Sequence, residues 1–296
     1  MNNPFFTSSN LQRVQIKLLL PLACILIPFL IGPALFGFLA SFTNYAPTQA
    51  HIRFVGLANF AAILHDSQAT AAVRNITLFV ACAVPLELAV GFGLAYLLRH
   101  PFRGRDFIRI VMLIPWLVGP IANGVMWRFL LSNTTGFLSF AQTGLGLPEA
   151  ASPLGVPGLA LLTLIATEVW RKSPLVAFLL LPGLLAIPAE QWEQAVLDGA
   201  ALHQRVFNIA WPGLRSLVWV VGLLLAGETL GTFEGVLVMT GGGPGTATLT
   251  PGLLSFQQAF QVNDWSRGAA SAWLIMVAVM WLGLVYAWLA RKDELL

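Results

Sequence analysis

Charged residues make up only 10% of this 296-residue chain, against about 25% in soluble domains, and that scarcity excludes an ordinary water-soluble globule. Cysteine is almost absent. Cys24 and Cys82 both fall inside apolar runs, which excludes a disulfide framework or a cysteine-built zinc site and leaves them as small core residues. The four histidines, His51, His65, His100 and His203, have no metal-ligand spacing. H-E-x-x-H and G-x-S-x-G are missing, so nothing points to a hydrolase. G-x-x-x-x-G-K-[ST] is missing too: Lys172-Ser173 follows Arg171 rather than glycine, and Gly241-Gly242-Gly243-Pro244 lacks a following Lys-Ser/Thr. The glycine run reads as a tight turn, and the chain is expected to hold no ATP site of its own. No repeat, heptad run or low-complexity tract breaks the sequence.

Hydrophobic residues fill the space charge leaves. They make up 57% of the chain, mean hydropathy is +0.77, and apolar runs of about twenty residues recur, the length needed to cross a bilayer as helix. The spacing predicts six transmembrane helices near 18–42, 75–98, 107–131, 156–187, 212–233 and 268–290. The fourth contains Arg171, Lys172, Pro174 and Pro182 and is expected to kink. Arg13 and Lys17 precede the first run in the manner of a signal peptide, but the run is too long for one and reads as an uncleaved span. The domain organisation is a cytoplasmic segment 1–17 followed by one transmembrane domain, 18–296.

The net charge of +3 forms no basic patch, which argues against nucleic acid. Basic residues sit instead at the ends of the runs. Arg13, Lys17, Arg99, Arg103, Arg105, Arg109, Arg205, Arg215, Arg291 and Lys292 fall on one side, and Arg53, Arg74, Arg128 and Arg267 on the other; with Arg171 and Lys172 this accounts for all 16. By the positive-inside rule both termini are cytoplasmic. The 188–211 connection is then cytoplasmic, and 43–74, 132–155 and 234–267 lie outside.

That connection reads IPAEQWEQAVLDGAALHQRVFNIAWPGLRS from Ile187 to Ser216. Two helical pieces flank Asp198-Gly199, with Leu202, Val206, Phe207 and Ile209 at helical spacing on the second. Gly199 permits a reversal, Asp198 can cap the following helix, and Pro212 suits the start of the fifth span. Periodicity alone fits an interfacial amphipathic helix as well as a docking surface. The segment resembles the EAA loop of permeases in binding-protein-dependent ABC importers. The match runs through Glu193-Gln194-Ala195, Asp198-Gly199-Ala200, Phe207, Ile209 and Pro212, and departs at Gln194, usually Ala, and at Ser216, often Pro. Phe54-Val55-Gly56-Leu57-Ala58-Asn59-Phe60, Leu113-Ile114-Pro115 and Thr240-Gly241-Gly242-Gly243-Pro244 resemble the maltose-type and glycerol-phosphate-type sugar permeases. The resemblance covers nearly the whole chain.

This resemblance implies an all-α membrane protein with the type I ABC importer permease fold, in the bacterial cytoplasmic (inner) membrane. It implies a pore subunit and not an enzyme, with no cofactor in this chain and with ATP and Mg bound by two copies of a cytoplasmic ATPase subunit. The other implied partners are a second homologous permease in a heterodimer, an extracytoplasmic substrate-binding protein and the lipid bilayer. Glu193, Ala195, Asp198, Gly199, Ala200 and Phe207 would form the ATPase-coupling loop. A stand-alone channel or secondary transporter is the rival from another class, but its inverted repeats and paired broken helices are not visible.

Ionisable residues at membrane depth are costly and mark pathways. Glu87, beside Pro85 and followed by Ala89, Gly91 and Gly93, fits a close helix contact. Glu168, Arg171 and Lys172 stand at i, i+3 and i+4, a spacing at which a helix neutralises its own charges. By resemblance, anchored on Trp170 and Pro174, the same residues and Leu175 would line the sugar path, joined from the fifth span by Glu228, Thr229 and Thr232. The threonines can equally bond their own backbone. The substrate implied is a carbohydrate. Lys172, an added cation, raises an anionic one such as glycerol 3-phosphate or a sulfonated glycoside.

Overall fold

A backbone facing lipid has to satisfy its N–H and C=O groups within each segment, which makes helix the default for every apolar run. The computed structural model describes residues 21, 24, 26–49, 51–145 and 151–293; the 1–17 segment and the opening of the first expected span lie outside them. Among the described residues the regular secondary structure is all helical, apart from an isolated antiparallel bridge between Thr43 and Phe54.

Helix α1 runs Ile27–Ser41 and the short α2 Ala58–Leu64. The second expected span is α3, Ser67–Arg99, which begins eight residues before the apolar run because the Asp66 side chain caps it, accepting from the Gln68 N–H at 2.8 Å. The third expected span is not one helix. It divides into α4, Arg105–Leu117, and α5, Pro120–Leu130, bent by 91°. Pro120 holds Gly119 extended (ψ 154°), and Val118 is extended as well. After α6, Phe137–Gly144, the fourth span is the single helix α7, Pro157–Ala186, continuous through Pro174 and Pro182. Extended Ile187, ahead of Pro188, ends it.

Helix α8, Ala189–Leu197, leads into α9, Leu202–Leu230, which contains the fifth span. Pro212 stands in the first turn of the α-helical stretch Trp211–Leu230, as expected, but the helix does not begin there. The helix passes through it by way of a π-helical turn at Val206–Ala210, the local adjustment that lets a proline without an N–H sit inside a helix. Short helices α10, Glu234–Met239, and α11, Pro251–Phe256, precede α12, Trp265–Asp293. Among the described residues α3, α7, α9 and α12 are each long and apolar enough to cross a membrane, with α4 and α5 a fifth span if taken together.

The most extensive packing is α3 along α7. They meet tightly at Gly91, where a Cβ would lie 2.5 Å from Val176 Cβ. Ala89 and Gly93 are exposed, so of the three small residues only Gly91 serves the helix contact. Two apolar clusters form the interior. One gathers Ile76, Phe79, Ile165, Val236 and Leu253, the other Val84, Leu98, Val176, Leu184, Trp192 and Leu214. Elsewhere the helices leave large apolar side chains outward, among them Phe29, Leu86, Leu97, Trp281 and Leu284, as a protein solvated by lipid does. Cys24 and Cys82 are also exposed and are not core residues.

Candidate substrate path and coupling loop

On α7 the buried residues of the first apolar cluster end at Ile165, with Val169 half-buried against it, and the second cluster begins at Val176. Between them stand Glu168, Arg171 and Lys172. The Glu168 carboxylate accepts from Arg171 through two bonds, Nη2 to Oε1 at 2.6 Å and Nε to Oε2 at 3.0 Å. Lys172 Nζ lies 3.2 Å from Glu168 Oε1 and reaches across to α9, 3.5 Å from Glu228 Oε2. It also donates to Thr229 Oγ1 at 3.3 Å. Lys172, Glu168 and Thr229 are buried, whereas the Glu228 side chain is 61% exposed. Self-neutralisation on α7 and a link to α9 thus occur together: two cations share the carboxylates of Glu168 and Glu228, and none is left uncompensated.

Leu175 is half-buried three residues beyond Lys172. Thr232 departs from expectation: α9 ends at Leu230, so Thr232 does not share a helical face with Glu228. Its carbonyl instead accepts from Thr250 Oγ1 at 3.0 Å and its N–H donates to the Thr229 carbonyl at 3.2 Å. Glu87 is fully buried with neither carboxylate oxygen hydrogen-bonded, and the charges facing it are Lys172, Glu168, Arg171 and Glu228.

The 188–211 connection is built around Gly199 at φ +70°. Gly199 N–H donates to the Val196 carbonyl at 3.1 Å and Ala200 N–H to the Ala195 carbonyl at 2.9 Å, the paired bonds of a left-handed helix C-terminus. This explains the glycine, since a side chain is strained in that conformation. Asp198 is the last residue of that helix end and does not cap the next one. The capping position before α9 is taken by Ala201, whose N–H donates to Gln204 Oε1 at 2.8 Å. Glu193, Asp198, Gly199 and Phe207 are exposed and Ala195 and Ala200 half-buried. The apolar stripe divides: Ile209 packs on the interior and Val206 is half-buried, while Leu202 and Phe207 point outward, as do Val196 and Leu197 before the turn, Leu197 being 85% exposed.

No family model matches the chain. It is 30% identical over 288 residues to the trehalose/maltose transport system permease protein MalF of Thermococcus litoralis, covering 96% of this chain and 97% of that protein. The chain belongs to the permease family of binding-protein-dependent ABC sugar importers. It is also similar to the sulfoquinovosyl glycerol transport system permease protein SmoG of Agrobacterium fabrum, at 29% identity over 96% of this chain and 92% of the relative. In fold it matches a bacterial alginate ABC transporter solved with an alginate pentasaccharide-bound periplasmic protein. The TM-score is 0.82 at 16% identity, covering 96% of this chain and 97% of that one. The protein is thus a multi-pass membrane permease with the ABC importer permease fold.

Several contacts of the permease carry no sequence signal. Trp192, between α8 and α3, is buried beneath the Arg99 guanidinium, whose carbon sits 3.5 Å from the ring centroid. Asn75 of α3 donates to the carbonyls of Thr246 at 2.7 Å and Leu249 at 3.0 Å. It thereby anchors the glycine turn, where Gly241, Gly242 and Gly245 take φ of 63°, 91° and 62°. The turn itself was legible from its glycines; its partner 171 residues away was not.

Proposed function

We propose that this permease is one transmembrane half of an importer that carries a carbohydrate into the cytoplasm, powered by ATP hydrolysis on partner subunits. The carrying observation is the surface around Gly199, where Val196, Leu197, Leu202 and Phe207 are exposed on the segment that joins α7 to α9. An apolar patch rimmed by Glu193 and Asp198 is what a protein partner covers. The same two helices bring Lys172 and Thr229 together, so a force on the loop reaches both walls of the charged group.

In this reading the loop docks on one of two ATPase copies that bind ATP and Mg, a second homologous permease completes the pore, and a binding protein delivers substrate from outside. Six spans with both termini cytoplasmic, in a bacterial inner membrane, accord with the distribution of Arg and Lys. Glu168, Arg171, Lys172, Leu175, Glu228, Thr229 and Thr232 are the substrate-path residues, with the exposed Glu228 carboxylate as acceptor for sugar hydroxyls, each of which needs a new partner once desolvated. Because both cations of the group face carboxylates, a neutral sugar fits the charge balance. The likeness to SmoG supports a second reading with an anionic glycoside.

Co-purification tests the coupling role. Glu193→Ala with Gly199→Val is expected to release the ATPase from the complex; full ATPase retention with lost transport places the coupling elsewhere. Uptake of maltose and of sulfoquinovosyl glycerol by Lys172→Ala proteoliposomes separates the substrate readings. Loss confined to the sulfonated glycoside supports the anionic one, and equal loss of both removes it.

A further inference from the structure

The coupling helix α8 has a contact with the pore that does not pass along the chain into α7 or α9. Trp192 on α8 is 6% exposed and packs in the apolar cluster with Leu98 of α3 and Leu184 of α7. Its indole face lies under Arg99, the last residue of α3, at 3.5 Å. Tyr96, one turn back, meets the same indole edge-on at 6.0 Å and lies 5.5 Å from the Arg99 guanidinium. Trp192 Nε1 and Arg99 Nη1 have no hydrogen-bond partner among the described residues. The buried face of Trp192 holds the guanidinium of the half-buried Arg99 in a cation–π contact.

What lies at the other end of α3 gives the contact its meaning. Two helical turns back from Arg99, Gly91 is pressed on Val176, and Val176 is one turn from Lys172 on α7. Another turn back is Glu87, facing Lys172, Glu168, Arg171 and Glu228. A rigid helix thus runs from the coupling helix to the charged group by a route separate from the covalent one.

We propose that Arg99 is a positioning residue: by clamping Trp192 it makes α8 and the cytoplasmic end of α3 move as one body, so that displacement of the coupling loop is delivered into α3 as well as α7 and α9. This rests on the coupling-loop reading above. Without the clamp α8 can rock under Trp192 while α3 stays in place, and ATP is hydrolysed without import.

The test uses the complete transporter with partner permease, ATPase and binding protein in proteoliposomes, and reads sugar imported per ATP hydrolysed. Arg99→Ala and Trp192→Ala are each expected to lower that ratio about tenfold at equal recovery of the complex. The double variant is expected to be no worse than either single one, because both remove a single interaction. Arg99→Lys, which keeps the cation, and Trp192→Phe, which keeps a ring, are expected to restore most of it. An unchanged ratio, a fall in transport only in proportion to complex lost, or multiplicative effects in the double variant would overturn the clamp. A wild-type chain that never recruits the ATPase defeats the coupling-loop reading instead; recruitment with a normal Arg99→Ala ratio defeats the clamp alone.

Discussion

Lys172 Nζ stands 3.3 Å from Thr229 Oγ1, a bond between α7 and α9 in a region where the apolar packing on α7 is interrupted. Lys172 is buried, so its charge has to be balanced by protein groups, and Glu168 at 3.2 Å is the buried one.

Glu168→Gln therefore removes the carboxylate that Arg171 and Lys172 share. Breaking a buried ion pair from one side costs about 3–5 kcal/mol, and a fall in thermal midpoint in detergent is expected. Adding Lys172→Met to Glu168→Gln is expected to recover part of that loss, because the second change removes the charge left behind. A double variant less stable than the single one contradicts this account.

Gly91→Ala places a Cβ 2.5 Å from Val176 Cβ and 3.0 Å from the Ser173 carbonyl oxygen. Neither atom is the far end of a flexible chain, so α3 and α7 have to separate, at about 1–3 kcal/mol for overpacking. Gly93→Ala two residues on, with nothing within 4 Å, is expected to be neutral or stabilising, since alanine is the better helix former. Thermal unfolding of the two variants side by side decides it.

His100 follows Arg99 at the end of α3, and its imidazole is held below the ordinary value of 6.5 by partial burial and then by the positive charges of Arg99 and Arg205. The folded state thus prefers the neutral ring. The stability this contributes is fully present above pH 6.5 and is lost as pH falls through the lowered folded value. The pH dependence of the thermal midpoint between 7.5 and 5 is expected to be smaller in His100→Gln, which does not titrate, than in the wild type. Identical pH profiles for the two would remove His100 from the balance.

Hydropathy and charge placement made the helical class and the approximate position of every apolar run legible, because lipid leaves a backbone no alternative to helix and the Lys and Arg residues gather at the ends. Local rules carried less far at the ends of elements. Asp66 was a cap that a purely apolar window passes over, while Asp198, a good cap by residue type, lies at the wrong end of its turn because Gly199 reverses the chain first. The 107–131 run looked like one span by hydropathy, yet Gly119-Pro120 bends it through 91°.

The sequence by itself determined a chain of apolar helices with a Glu-Gln-Ala and Asp-Gly-Ala loop between two of them, since periodicity, glycine and charge act over a few residues. Only the tertiary structure decided that Lys172 meets Thr229 and Glu228, that Arg99 covers Trp192, and that Glu87 is buried without a hydrogen bond. Each of these depends on which faces of separate helices meet, and that is set by packing constraints such as the bare backbone at Gly91, which no residue shows until its neighbour across the interface is known.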